Sequence, residues 1–357
     1  MESVVDGFIE DAFTAVEEAI ATEVDAAPSE VSFDYETKLT LPAELTLGYV
    51  YYRARQNTPQ NLNPVTRSVR TPLLEYFRVP FDRDDETERR KQLLNEAESE
   101  LRTIDRAESV TELVVIALID GDMRDALNDE EFEDFSVDFP VDSTAIRRQI
   151  ATVAQSTLRG LVEERFAAFD DDVRTAYEQA VAISERHQEQ DDRFRRLAAA
   201  AREGDAEARE QIYEEYKHAS FGEVPDMFDG EDVEHPYLKT QYERVGVIYD
   251  GMVDMYRAAG VPVSATFKKA IVFAIIGAQI WLDDIDDYVE DLRNDQLTPV
   301  TAEYLLADTD AKAYEQIVDI TESYLNAAKR YAAATDSPLA GIGADYIFRS
   351  GNPSVLP

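Results

Sequence analysis

Apolar residues recur at three- and four-residue steps along most of the chain. Phe8, Ala12, Phe13, Val16, Ala19 and Ile20 open it in this way, and side chains so spaced share one face of a helix. The same period predicts helices over 93–104, 110–127, 146–169, 173–183, 237–258 and 311–334. Strand patterns are scarce. Residues 31–47 alternate in part and contain Thr and Tyr, which permits a short hairpin that the rest of the pattern does not require. Pro59, Pro64, Pro72, Pro80, Pro140, Pro225, Pro236, Pro262 and Pro299 fall mostly between the periodic segments and mark their joints. No repeat and no long linker interrupts the pattern. It predicts an all-α protein with one helical domain over 61–357, an N-terminal elaboration over 1–60, and an inserted or extended helical pair in the polar stretch 185–232.

Composition narrows the function classes. The chain carries 74 acidic against 35 basic residues, a formal net charge of -39, which repels nucleic acid and anionic lipid. Only eight of the basic residues are lysine, and the carboxylates are spread rather than gathered in a tail. That is the surface expected of a cytoplasmic protein in a salt-loving, haloarchaeal cell. No cysteine is present, so a disulfide framework and a thiolate metal site are both excluded. Three histidines, His187, His218 and His235, leave little for a histidine-rich site. No basic segment followed by an apolar run opens the chain, so no signal peptide is expected. The longest apolar stretch, 270–282, is too short to span a bilayer and ends in carboxylates, which predicts a buried core helix and no membrane span.

That helix leads into the chain's most informative cluster. From Gln279 the sequence reads Gln-Ile-Trp-Leu-Asp-Asp-Ile-Asp-Asp-Tyr-Val-Glu-Asp. On a continuous helix Asp283, Asp287 and Asp291 share a face at four-residue steps, with Asp284 beside them. Like charges so placed repel, and magnesium is a suitable counter-charge because it takes oxygen ligands and bridges carboxylates to substrate phosphates. Acidic runs such as Asp170-Asp171-Asp172 and Asp191-Asp192 are read as solvated surface instead. What separates the cluster at 283 from them is its continuity with a core helix.

Asp283, Asp284, Ile285, Asp287 and Tyr288, with Gln279 upstream, resemble the second aspartate-rich motif of the polyprenyl synthetase (trans-prenyltransferase) family. Lys239-Thr240 matches the family's Lys-Thr pair in order and interval, and Arg67 and Arg70 before Pro72 resemble a degraded form of its N-terminal cationic motif. Its first aspartate-rich motif is approached by Asp120-Gly121-Asp122-Met123-Arg124-Asp125, with Gly121 in place of the first carboxylate and Asp120 or Asp129 as substitutes for it.

The resemblance spans about residues 60–300 and implies the class I isoprenoid synthase fold, a helical bundle around a central cavity. It implies magnesium held by Asp283, Asp287, Asp122 and Asp125 from two facing helices, and catalytic roles for Asp283, Asp284, Asp287 and Lys239. Substrate binding falls to Lys239, Gln279, Arg67 and Arg70, the two arginines holding isopentenyl diphosphate. The implied partners are isoprenoid diphosphates, with a homodimer or heteromer left open. The implied reaction is ionisation of an allylic diphosphate followed by prenyl transfer. Three alternatives remain. One is a class I terpene cyclase or head-to-head synthase, allowed by the poor match at Arg67. Another is a catalytically silent subunit of the same fold, favoured by Gly121. The last is a di-iron bundle suggested by Glu215-x-x-His218.

Overall fold

A computed structural model describes residues 2–57, 84–129, 135–138, 143–335 and 337–357. These residues are mostly helical, as the periodicity predicts. They form two compact units, one of residues 1–174 with 255–262 and the other of 175–254 with 263–357. The expected boundary at residue 60 lies outside the described residues; the division found here falls at a place the sequence pattern did not mark.

In the first unit α1 (Glu2–Glu23) buries Val5, Ala12, Val16 and Ile20, a stripe at helical spacing. It packs against α3 (Asp84–Asp129) and α4 (Thr144–Phe166), while α2 (Leu41–Asn57) packs on α3. The segments expected over 93–104 and 110–127 run together as α3, because neither Pro nor Gly occurs between Asp84 and Asp120 to break them. Ser143 caps α4 by accepting from the amide of Ile146 at 3.3 Å.

The local hairpin allowed over 31–47 does not form. Val31, Phe33 and Tyr35 do alternate into the core, but their strand β1 (Phe33–Tyr35) pairs antiparallel with β2 (Phe135–Val137). Helix α2 begins at Leu41, with Pro42 in its first turn, where a missing N–H is tolerated and would be useless to a strand partner. Phe33 meets Phe13 edge-on at 5.1 Å and stacks with Phe135 at 6.3 Å, which fixes the pair to α1.

Gly121 is an ordinary helical position in α3, and a Cβ added there meets nothing within 4 Å. Gly121→Ala is therefore expected to raise stability by about 0.5–1 kcal/mol, through lower backbone freedom in the unfolded chain. Urea denaturation followed by circular dichroism measures it.

The second unit contains most of α5 (Asp171–Gln188), then α6 (Asp191–Arg202) and α7 (Ala206–Gln211), which continues as a π-turn over Ile212–Lys217. Phe194, Ala198, Ala201, Ala208, Ile212 and Tyr216 join the main buried cluster of this unit. The polar segment expected as an insertion is thus part of the core, its narrow apolar stripe outnumbered by charged residues.

Helix α8 (Leu238–Gln241) passes through a π-turn at Tyr242–Gly246 into α9 (Val247–Ala258). Helix α10 (Ala265–Ala278) is buried on nearly every side, as a helix apolar all round must be. It enters a π-turn at Gln279–Asp283 and continues as α11 (Asp284–Asp286) and α12 (Tyr288–Arg293). Then come α13 (Pro299–Leu306), α14 (Asp310–Ala334) and α15 (Pro338–Ser350). At Gly277 a Cβ would stand 2.7 Å from Leu325 Cδ2, so this glycine lets α10 and α14 approach closely. The stretch Ala265–Asp286 is long and apolar enough to cross a membrane, yet 61% of its most apolar window is buried inside the protein, as in a core helix.

Candidate functional site

The acidic cluster does not lie on one unbroken helix. A π-turn widens the helix at Gln279–Asp283, and Asp287 ends a single α-turn before α12 begins. Such turns reorient side chains within a helix and are frequent at functional sites. Asp283 and Asp287 face solvent here, whereas Asp284 turns inward and is 1% exposed. Asp284, expected beside the other carboxylates, is set apart from Asp283 and Asp287 by its burial. Gln279 donates to Asp283 across the π-turn, which fixes that carboxylate.

Arg244, from the π-turn at Tyr242–Gly246, meets the buried carboxylate. Its guanidinium donates to Asp284 Oδ1 at 2.9 Å, while Asp284 Oδ2 is buried without a hydrogen-bond partner. One cation thus stands among several carboxylates. Burial, helped by the Asp283 charge and opposed by Arg244, pushes the Asp284 carboxyl up to about 6. Asp291 is pushed up to about 7, by burial first and then by Asp284. Asp287 is raised by burial, then by Asp283, Glu290 and Asp286. Arg244 alone does not balance these carboxylates.

Lys239 does not project into solvent. Its ammonium lies 2.6 Å from Glu243 Oε2, one turn along the same helix, and the side chain is 21% exposed. Burial would raise the Glu243 carboxyl, but the Lys239 ammonium bonded to it and the His187 imidazole nearby outweigh that effect and hold it below the usual carboxylate range. Thr240 is buried and donates to backbone carbonyls of Tyr216 and Tyr237, so it serves the fold.

Lys239 and Glu243 line an open cleft of about 760 Å³, together with Arg186, His187, Tyr242 and an apolar wall of Ile183, Phe221, Val224 and Pro225. A smaller cavity of about 100 Å³, which shares His187 with the cleft, is lined also by Asp191, Tyr216 and Arg244 among others. His187 borders both, and Arg244 leads from the small cavity to Asp284. The sequence pattern singled out neither residue. Arg244 had one available signal, a charge amid the apolar residues of a core helix, which demands a buried counter-charge.

The first aspartate-rich segment belongs to the other unit. Asp120 is buried and accepts from Gln155 Nε2 at 2.9 Å; burial raises its carboxyl while that bond opposes the rise. Asp122 accepts from the Tyr35 hydroxyl at 2.6 Å, linking α3 to β1. Asp125 lies one turn further along α3. The two aspartate-rich segments thus sit in different compact units. Arg67, Arg70 and the side chain of Asp129 lie outside the described residues. The di-iron pattern finds no support, since Glu215 pairs with Arg193 and His218 packs against the Tyr213 ring at 4.6 Å.

Among the described residues no three His, Asp or Glu side chains converge as a ready metal cage. Magnesium does not require one, since it keeps several waters and is commonly held by one or two carboxylates plus substrate phosphates. The exposed Asp283 and Asp287, hard oxygen donors beside a buried carboxylate with an unpartnered oxygen, fit that mode. Comparison with protein-family models, curated proteins and solved structures finds no match to this chain.

Proposed function

We propose that the second unit binds an allylic diphosphate as its magnesium complex and ionises it, as an isoprenoid diphosphate synthase-like protein that transfers the prenyl group to isopentenyl diphosphate. The observation that carries this reading is the under-compensated carboxylate group around the π-turn, with the carboxyls of Asp284, Asp287 and Asp291 all raised. Asp283 and Asp287 would hold the metal, and bound magnesium would neutralise charge on the departing diphosphate. Gln279 orients Asp283, and Arg244 fixes Asp284 behind them. Lys239 has donors left after bonding Glu243 and offers them to an anion in the cleft. Ile183, Phe221, Val224 and Pro225 give the hydrocarbon part an apolar wall to lie against.

A second reading has its own observation. Asp120 and Asp122 are engaged by Gln155 and Tyr35, so the first aspartate-rich segment is employed in holding its own unit together. This favours a silent subunit that binds diphosphate without turnover.

The chain's one tryptophan, Trp281, lies inside the π-turn and reports on it. Magnesium with an allylic diphosphate in high potassium chloride is expected to change Trp281 emission and raise the melting temperature, and Asp283→Ala with Asp287→Ala to abolish both effects. Equal shifts in the double variant overturn the metal assignment. Labelled isopentenyl and allylic diphosphates then separate the readings. Elongated product supports transfer, hydrocarbon from the allylic substrate alone supports cyclisation, and binding without product supports the silent subunit.

A further inference from the structure

Among the described residues His187 is a buried polar side chain that the reading above leaves unused. It is 4% exposed, yet it borders both the 760 Å³ cleft and the 100 Å³ cavity. Its Nδ1 has no hydrogen-bond partner and stands 3.9 Å from Glu243 Oε2, too far for a bond but near enough for the carboxylate to attract a proton taken up by the ring. Glu243 is itself fixed by Lys239 at 2.6 Å, and Phe194 packs beside the imidazole with ring centroids 6.0 Å apart. A purely structural buried histidine normally satisfies its ring nitrogens, because an unmade bond there carries the full desolvation cost. An imidazole backed by a carboxylate that a third group holds is instead the arrangement of a general base and its orienting partner. Such hydrogen bonds are often long before substrate binds.

We propose that His187, oriented by Glu243, is the proton acceptor of this cleft. The inference rests on the ionisation reading and assigns the step that ends it. Once the diphosphate has left with the electron pair of the carbon–oxygen bond and the new carbon–carbon bond has formed, the carbocation loses a proton from a neighbouring carbon. That C–H bond breaks, its electron pair becomes the second bond of an alkene, and the proton passes to the imidazole. Glu243 stabilises the resulting imidazolium, and no further reactant is needed. A prenyl chain lying over Ile183, Phe221, Val224 and Pro225 would limit the access of water to the cation.

The test incubates the full chain with magnesium, an allylic diphosphate and isopentenyl diphosphate, and measures two quantities. One is inorganic diphosphate released; the other is the share of organic product ending as alkene rather than as water-captured alcohol. His187→Gln is expected to release diphosphate within about threefold of the wild type while its alkene share falls roughly tenfold or more. Glu243→Gln keeps the imidazole without its orienting charge and should fall between the two. An unchanged alkene share in His187→Gln with release intact overturns the proton-acceptor role and leaves the ionisation reading standing. Release and alkene formation falling in equal proportion overturn it as well, since that marks a structural histidine. If His187→Gln does not fold, an unchanged alkene share in Glu243→Gln overturns it. Absence of diphosphate release by the wild type removes the ionisation reading and this inference together.

Discussion

Arg244→Met is expected to destabilise the second unit by about 3 kcal/mol at neutral pH, because it strands a carboxylate that is 1% exposed. Asp284 already has one unpartnered oxygen, and Arg244 supplies its only cation within bonding distance among the described residues. The figure sits at the low end for a broken buried pair because the cavity of about 100 Å³ beside Arg244 admits water. The pH dependence follows from the carboxyl. In the wild type Asp284 is raised to about 6, and loss of Arg244, which pulls it down, raises it further. Above about 6 the folded variant keeps a proton that the folded wild type has released, so the variant's deficit grows as pH rises and is smallest below that value. Arg244→Met with Asp284→Asn removes both charges and should recover most of the loss. Urea denaturation of the three proteins and the wild type at pH 5.5 and pH 8 measures this (working values of roughly half a unit below and two above the shifted carboxyl). A pH-independent deficit, or a double variant as unstable as the single one, would show that Arg244 acts through packing alone.

The helices were legible because their apolar stripes are long and repeat at one period. Val5, Ala12, Val16 and Ile20 in α1 and Ile150, Ala154, Leu158 and Val162 in α4 are core positions of that kind. The pairing of β1 with β2 was not, since three-residue strands carry no register information and their partners lie about a hundred residues apart in sequence. The role of 191–217 was also hidden, because a narrow apolar stripe under many charges reads as polar surface. At the candidate site, helical spacing singled out the carboxylates at 283–291, and the family resemblance singled out Lys239. It could not foresee the π-turn, which arises from tertiary packing and turns Asp284 inward while its neighbours stay exposed. His187 and Arg244 escaped notice for a related reason, as each acquires meaning only from what the fold places beside it: Glu243 for one, Asp284 for the other.

Gly351→Ala is expected to cost about 2–3 kcal/mol, the range of overpacking in a close-packed interior. The site is unusual because the obstacle is a rigid ring. A Cβ at 351 would overlap the Trp281 indole at Nε1 and Cδ1 and lie 2.7 Å from Cε2. The indole has little freedom to yield. It is 4% exposed, donates from Nε1 to the Phe348 carbonyl at 3.0 Å, and stacks on the Phe348 ring at 5.3 Å with the planes 7° apart. Moving it breaks that hydrogen bond and the stack together, and Trp281 belongs to the same π-turn as Gln279 and Asp283. Gly351→Ala should therefore shift the single tryptophan's emission toward that of a hydrated indole, lower the melting temperature, and weaken the magnesium-diphosphate response. Gly341→Ala provides the contrast, since its Cβ would find its nearest neighbour at 3.9 Å and its helix gains from losing a glycine. If both substitutions leave emission and stability unchanged, the backbone at 351 does not clamp Trp281, and the π-turn holds its carboxylates without help from the end of α15.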